Sequence, residues 1–363
     1  MLIPILILIA TLLVLVVMYV MDDAMEALNA HAGLPQARSM KRSIAVVWVV
    51  LSLVIAQLIV PADLFDPPPP QQALFGPDSL WMGADTTRLA SLDDEQEELI
   101  RYGRELIANT AQYLGPKGSV AQISNGMNCQ NCHLAAGTRP WGNNYGAVWS
   151  TYPKMRARSG SRESVSKRVN DCVERSLNGT ALDTTGREMR AILAYMQWLG
   201  TGIEKDEKPA GAGIIELPYL DRAADPTAGA QVYGSKCASC HGTDGQGRLK
   251  VDGITYQYPP LWGAHSYNTG AGLYRLSRFA GYVKANMPQG ASWEAPQLSD
   301  EEAWDLAAFV NSRERPVKDL TGDWPDISKK PIDHPFGPFA DNFNEEQHKY
   351  GPFAPIASFY KQP

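Results

Sequence analysis

A mostly α-helical chain, built as two similar helical domains in tandem behind a transmembrane helical hairpin, is what the sequence predicts. Three observations carry this. The pattern Cys-x-x-Cys-His occurs twice, as Cys129-Gln-Asn-Cys132-His133 and Cys237-Ala-Ser-Cys240-His241. Each copy lies between an upstream and a downstream segment of helical periodicity. Two apolar runs, each long enough to span a bilayer, precede both copies.

Met1 to Val20 holds no charged side chain and Ser43 to Val60 is a second apolar run, so residues 1–60 read as the hairpin. A cleavable signal peptide would need a basic stretch ahead of its apolar core, and none precedes Leu2. Arg38, Lys41 and Arg42 put the connecting loop on the cytoplasmic side despite Asp22, Asp23 and Glu26, because orientation follows Lys and Arg. Residues 61–92 form a linker whose prolines, Pro61 and Pro67 to Pro70, favour a semi-rigid spacer. The first domain spans 93–204. Leu99, Tyr102, Leu106 and Ile107 predict one helix from Asp93 to Leu114; Met189, Ile192, Leu193, Met196 and Leu199 predict another, ended by Gly200. Residues 205–224, rich in Lys, Gly and Pro, link it to the second domain, 225–315. There Asp225-Pro226 starts a helix through Tyr233, and Ser299 with Glu302 forms a capping box for a helix buried through Ala303, Leu306, Ala307 and Val310. Residues 316–363 have many prolines and aromatics without periodicity and predict an extended strap.

Cys-x-x-Cys-His is the attachment sequence for c-type haem: the thiols add across the vinyl groups and the histidine faces the iron. Cys129, Cys132 and His133, then Cys237, Cys240 and His241, therefore predict two covalently bound haem c groups and electron transfer. A four-cysteine structural metal site is the alternative. The hairpin places the haem domains on the periplasmic side of a bacterial inner membrane, where such haem is attached. With 33 basic against 39 acidic residues and a net charge of −6, the chain is not expected to bind nucleic acid. No flavin or nucleotide loop is evident.

The sixth iron ligands separate an electron carrier from an enzyme. Met287, 46 residues past His241 in Asn286-Met287-Pro288, is the candidate for the second haem. A core methionine is the plainer reading, and His265 the competing ligand. For the first haem, Met155 follows His133 too soon, while Met189 and Met196 belong to a helix stripe. Cys172 is either a small buried hydrophobe or a thiolate ligand. Arg168, Cys172 and Ser176 share a helix face, with Arg175 beside it. Seven basic and three acidic residues lie from Lys154 to Arg175, which describes either a solvated basic face or an anion site.

Both halves resemble the class I cytochrome c fold, in which a methionine at the place of Met287 ligates the iron. More narrowly, the chain resembles the dihaem thiosulfate dehydrogenases, which join two thiosulfates into tetrathionate. The matching stretches are Asn128 to Leu134, Arg158 to Gly179, Tyr258 to Gly263, Ser266 to Gly272, Asn286 to Pro288 and His348 to Pro352. The resemblance implies that Cys172 is the distal ligand of the catalytic haem and that Arg158, Arg168 and Ser176 line a pocket for thiosulfate, tetrathionate or another sulfur oxyanion. It also implies a second, His241/Met287 haem that relays electrons to an acceptor such as a soluble cytochrome c or a membrane oxidase complex. Some family members use an alternative lysine ligand on that haem, and Ile254 to Tyr258 contains none. The hairpin, which also makes the lipid bilayer a partner, departs from the soluble family form. It motivates a rival reading, a non-catalytic electron-transfer subunit docked to a quinol-oxidising complex or terminal oxidase. Tetrathionate reduction is a third.

Overall fold

The first helix begins where its cap residues require. In α1 (Asp94–Ala108) the Asp93 carboxylate accepts from the Gln96 N–H at 2.8 Å, and Asp94, Glu95 and Glu97 complement the positive end of the helix dipole. The computed structural model describes residues 80–84, 89 and 91–361. Both apolar runs and the Pro61 to Pro70 stretch lie outside the described residues. Among the described residues no helix is long and apolar enough to cross a membrane.

The single helix expected up to Leu114 breaks at Asn109, after which α2 (Thr110–Leu114) resumes. Polar side chains at the break tie it to the first haem motif. Thr110 Oγ1 donates to the Leu106 carbonyl at 2.7 Å and accepts from the Cys129 N–H at 2.9 Å, while the Ala111 N–H donates to Asn128 Oδ1 at 2.8 Å. The Ala111 N–H, freed by the break, thus finds its partner in the motif loop.

The first half continues with α3 (Leu134–Gly137), α4 (Val148–Thr151), an antiparallel hairpin of β1 (Lys154–Arg156) and β2 (Ser161–Glu163), α5 (Val165–Arg175) and α6 (Arg187–Leu199). Met189, Ile192, Met196 and Leu199 are all at most 5% exposed, with Leu193 half-buried, and Gly200 caps the helix. Each such side chain contributes about 1.5–3 kcal/mol relative to exposure. α1 packs across α6 at Gly103, where a Cβ would stand 2.0 Å from the Ala191 carbonyl oxygen.

The second half repeats this. Asp225 caps α7 (Pro226–Lys236) by accepting from the Thr227 N–H at 2.7 Å, with Pro226 in the first turn. Then come α8 (Ala238–His241), an antiparallel pair β3 (Arg248–Leu249) and β4 (Tyr256–Tyr258), α9 (Leu276–Asn286) and α10 (Asp300–Ser312). The Ser299/Glu302 capping box forms, with bonds of 3.0 and 2.9 Å. α7 crosses α10 at Gly229, whose Cβ would stand 1.9 Å from the Asp305 carbonyl oxygen. Two mostly helical domains of one design result, each with its own core, around Leu106, Met189 and Tyr195 in the first and Tyr233, Trp304 and Leu306 in the second.

The tail is not extended throughout, as its lack of periodicity suggested. α11 (Glu345–Tyr350) and α12 (Phe353–Phe359) are single short helices, too brief to show a periodic stripe. Phe353 and Ile356 complete the second core instead, with Phe353 against Trp304 at 5.6 Å between ring centroids.

Candidate functional site

Cys129 opens a one-turn 3₁₀ helix, Cys129–Asn131, held by the Asn128 N–H donating to Asn131 Oδ1 at 2.7 Å. The following His133 ring points Nδ1 at the Asn143 carbonyl, 2.5 Å away. A carbonyl only accepts, so the proton sits on Nδ1 and Nε2 keeps its lone pair. Burial pulls the His133 pKa down to about 4, so the ring is neutral at physiological pH, which is the metal-binding form. The second motif follows the same rule. His241 Nδ1 donates to the Pro259 carbonyl at 2.9 Å, and burial again lowers the imidazole pKa.

Each motif faces a cavity. One of about 390 Å³ is lined by Cys132, His133 and Cys172; one of about 470 Å³ is lined by Cys237, Cys240, His241 and Met287. Leu261, Phe279, Val283, Leu306 and Val310 give the second apolar walls. No disulfide joins any of the five cysteines, and among the described residues no group of three His, Cys, Asp or Glu could hold a metal ion, so the four-cysteine alternative has no site there. At the second motif, paired thiols, an imidazole with a free Nε2 and an apolar-walled cavity fit covalently bound haem c; at the first, Cys132 and His133 line the cavity together with Cys172.

Met287 follows the last turn of α9, its N–H donating to the Val283 carbonyl at 2.9 Å, while His265 is exposed and outside the cavity. Lys236 and Lys250 also line this cavity, and Lys236 pairs with Glu302 at 2.7 Å. On the first side the methionines are elsewhere: Met155 is 67% exposed, and Met189 and Met196 are core. Cys172 is the sulfur other than the motif thiols that lines the first cavity.

The structure brings the sequence-identified pocket residues together. Ser164 caps α5 by accepting from the Lys167 N–H at 3.2 Å, and the helix then presents Arg168, Cys172 and, at its carboxyl end, Ser176 to the first cavity. Arg168 Nη1 donates to Cys172 Sγ at 3.0 Å. Cys172 pushes the Arg168 pKa up, against the effect of burial. Arg158 lines the same cavity; burial, then the neighbouring Arg175, lowers its pKa to about 10, so it remains charged at neutral pH. In all, eight Lys and Arg side chains line the cavity against Glu163 and Asp171. Such a lining favours small multivalent anions.

Three of those eight cations were invisible in the sequence window from Lys154 to Arg175. Lys208, Arg275 and Arg278 come from the interdomain segment and the second domain, and Asp323 and Trp324 of the tail close behind Arg158. No local pattern links positions this far apart. The two cavities are also neighbours, sharing Cys132, Tyr267 and Leu273 as lining residues. Cross-domain bonds hold them in register: Tyr282 Oη donates to the Asn131 carbonyl at 2.9 Å, Arg139 Nη2 to the Ala291 carbonyl at 2.6 Å and Asn125 Nδ2 to the Ser266 carbonyl at 3.0 Å.

Comparison with known proteins adds independent findings. Residues 226–314 match the family described as Cytochrome c, and residues 119–204 the family described as SoxA/TsdA, cytochrome c domain. The thiosulfate dehydrogenase of Allochromatium vinosum is 40% identical over 232 residues, covering 62% of this chain and 82% of that protein. That of Stutzerimonas stutzeri is 37% identical over 222 residues, covering 60% and 68%. Among solved structures, thiosulfate dehydrogenase (TsdBA) from Marichromatium purpuratum, in its as-isolated form, superposes with a TM-score of 0.59 at 31% identity over 69% of this chain. The match spans about half, 52%, of that solved chain.

Proposed function

The chain belongs to the thiosulfate dehydrogenase family of c-type cytochrome oxidoreductases, and from that premise we propose that it is a dihaem enzyme joining two thiosulfates into tetrathionate. Each thiosulfate dianion gives up one electron as the sulfur–sulfur bond forms, and both electrons leave to an external acceptor such as a soluble cytochrome c or a membrane oxidase complex. Haem c, when attached, supplies iron that takes up electrons singly. In this reading His133 Nε2 and Cys172 Sγ would hold the first iron within residues 93–204. His241 Nε2 and Met287 Sδ hold the second within 225–315. The observation that carries the proposal is Arg168 donating to Cys172 at 3.0 Å in the cationic cavity that also contains His133.

The residues supply what the chemistry lacks. Two dianions repel, so bringing their sulfane sulfurs together needs fixed positive charge and orientation. Arg168 and Arg158 provide planar donor forks for oxyanion groups, and Ser176, capping α5 with its N–H on the Cys172 carbonyl at 2.8 Å, adds a hydroxyl. Methionine ligation favours a higher potential at the second site, the direction needed for an electron exit. The hairpin would hold both domains on the periplasmic face of the inner membrane.

Mixing oxidised protein with thiosulfate and recording the haem α-band near about 550 nm tests this. Rapid reduction is expected. No reduction by thiosulfate, with both haems still reducible by dithionite, would replace it with the membrane-anchored electron relay. Salt gives a second check. From about 0.01 M to about 0.15 M ionic strength the Debye length shrinks from about 30 Å to about 8 Å, so KM for thiosulfate should rise several-fold. A KM indifferent to salt would detach the cationic cavity from substrate capture. Met287→Leu should leave both haems attached but lower the potential of the second, as read by spectroelectrochemical titration.

A further inference from the structure

Asp323 sits outside the first cavity yet pairs with two arginines that line it, Arg175 and Arg158, the second of which is also held by Nη1 donating to the Gly270 carbonyl at 2.7 Å. Its carboxylate accepts from Arg175 Nη1 at 2.8 Å and Nη2 at 2.7 Å, and from Arg158 Nη1 at 3.3 Å. The three side chains are 10%, 14% and 16% exposed for Asp323, Arg175 and Arg158, so solvent screens them weakly. The tail carries Asp323 there by a second attachment: the Trp324 N–H donates to the Arg158 carbonyl at 2.6 Å, and the Arg158 guanidinium lies 4.8 Å from the Trp324 ring centroid. Arg175 Nε is buried without a hydrogen-bond partner among the described residues, so Asp323 alone fixes that guanidinium plane from behind.

We propose that Asp323 is a positioning residue and a built-in counter-anion that limits how tightly the pocket holds sulfur oxyanions. This inference rests on the anion-pocket reading of the same site. Two buried guanidinium groups facing a dianion would bind it strongly, and tight binding of substrate and product alike does not raise turnover. With Asp323 in place the triad carries one net positive charge rather than two, and the arginines keep donors committed to the carboxylate. Product, still a dianion, can then leave.

The test is sulfate binding to the oxidised dihaem holoprotein by titration calorimetry, together with thiosulfate kinetics. Asp323→Asn removes the charge while keeping the shape. It should bind sulfate at least about fivefold more tightly and show a lower KM together with a lower kcat, a split that simple loss of structure would not produce. Unchanged or weaker sulfate binding would overturn the proposal. Where Asp323→Asn does not fold, the comparison moves to Arg158→Gln against Arg158→Gln/Asp323→Asn, in which only one guanidinium remains. Sulfate should bind more tightly to the double variant, and equal or weaker binding again refutes the idea. Sulfate is redox-inert, so these outcomes stand apart from whether the wild-type protein oxidises thiosulfate, which the α-band experiment decides.

Discussion

Cys172→Gly is expected to lower thiosulfate-dependent turnover by at least about 10³-fold while leaving two haems per chain. The reasoning separates attachment, binding and reaction. Attachment, as the two Cys-x-x-Cys-His motifs imply, would use Cys129, Cys132, Cys237 and Cys240, none of which the substitution touches. Binding, on the proposed reading, would use the eight Lys and Arg side chains of the cavity, all of which the substitution leaves in place. Arg168 loses its sulfur partner at 3.0 Å but keeps its charge, so thiosulfate should still bind within a few-fold of wild type. What disappears is the sulfur that Arg168 Nη1 contacts at 3.0 Å, the atom proposed to ligate the first iron. A collapse in kcat with near-normal affinity and an altered first-haem spectrum is therefore the signature. Retained full activity would remove Cys172 from the reaction and return it to the role of a small buried hydrophobe.

Local chemistry was legible in the sequence; assembly was not. The Asp225 helix start, the Ser299 cap and the buried stripe of α6 each depend on neighbours within a few residues, and the structure shows them where periodicity and cap chemistry placed them. The shared face of Arg168, Cys172 and Ser176 was readable for the same reason. The break at Asn109 was hidden because its cause, Asn128 reaching back to the Ala111 N–H, lies in another segment. Asp323 was hidden more deeply still: its partner Arg175 is 148 positions away, and nothing in its own neighbourhood distinguishes it from a solvated loop acid. The tail helices escaped because one or two turns give no repeat to detect, although Phe353 and Ile356 anchor them in the second core.

Gly229→Ala should destabilise the second domain by about 3 kcal/mol, although alanine is the better helix former. Within α7 the Gly229 Cβ position lies 1.9 Å from the Asp305 carbonyl oxygen and 2.8 Å from Phe309 Cβ, both on α10. Backbone cannot retreat as a flexible side chain can, so the two helices must move apart and loosen the contacts around Trp304 and Leu306. Gly234 provides the internal control. It lies in the same helix, is exposed, and has open space where a Cβ would stand. Gly234→Ala should therefore stabilise by up to about 1 kcal/mol, purely from reduced chain freedom in the unfolded state. Thermal unfolding of the holoprotein reads both, with roughly 4–8 °C expected per kcal/mol for a domain of this size. Opposite shifts from one substitution type in one helix would establish the close crossing as the packing determinant. The same test at Gly103, whose Cβ would stand 2.0 Å from the Ala191 carbonyl oxygen, asks whether the first domain depends on the identical device. A stabilising or neutral Gly229→Ala would mean that α7 and α10 can separate at little cost, and the repeated architecture would then rest on the caps and the haem-bearing loops instead.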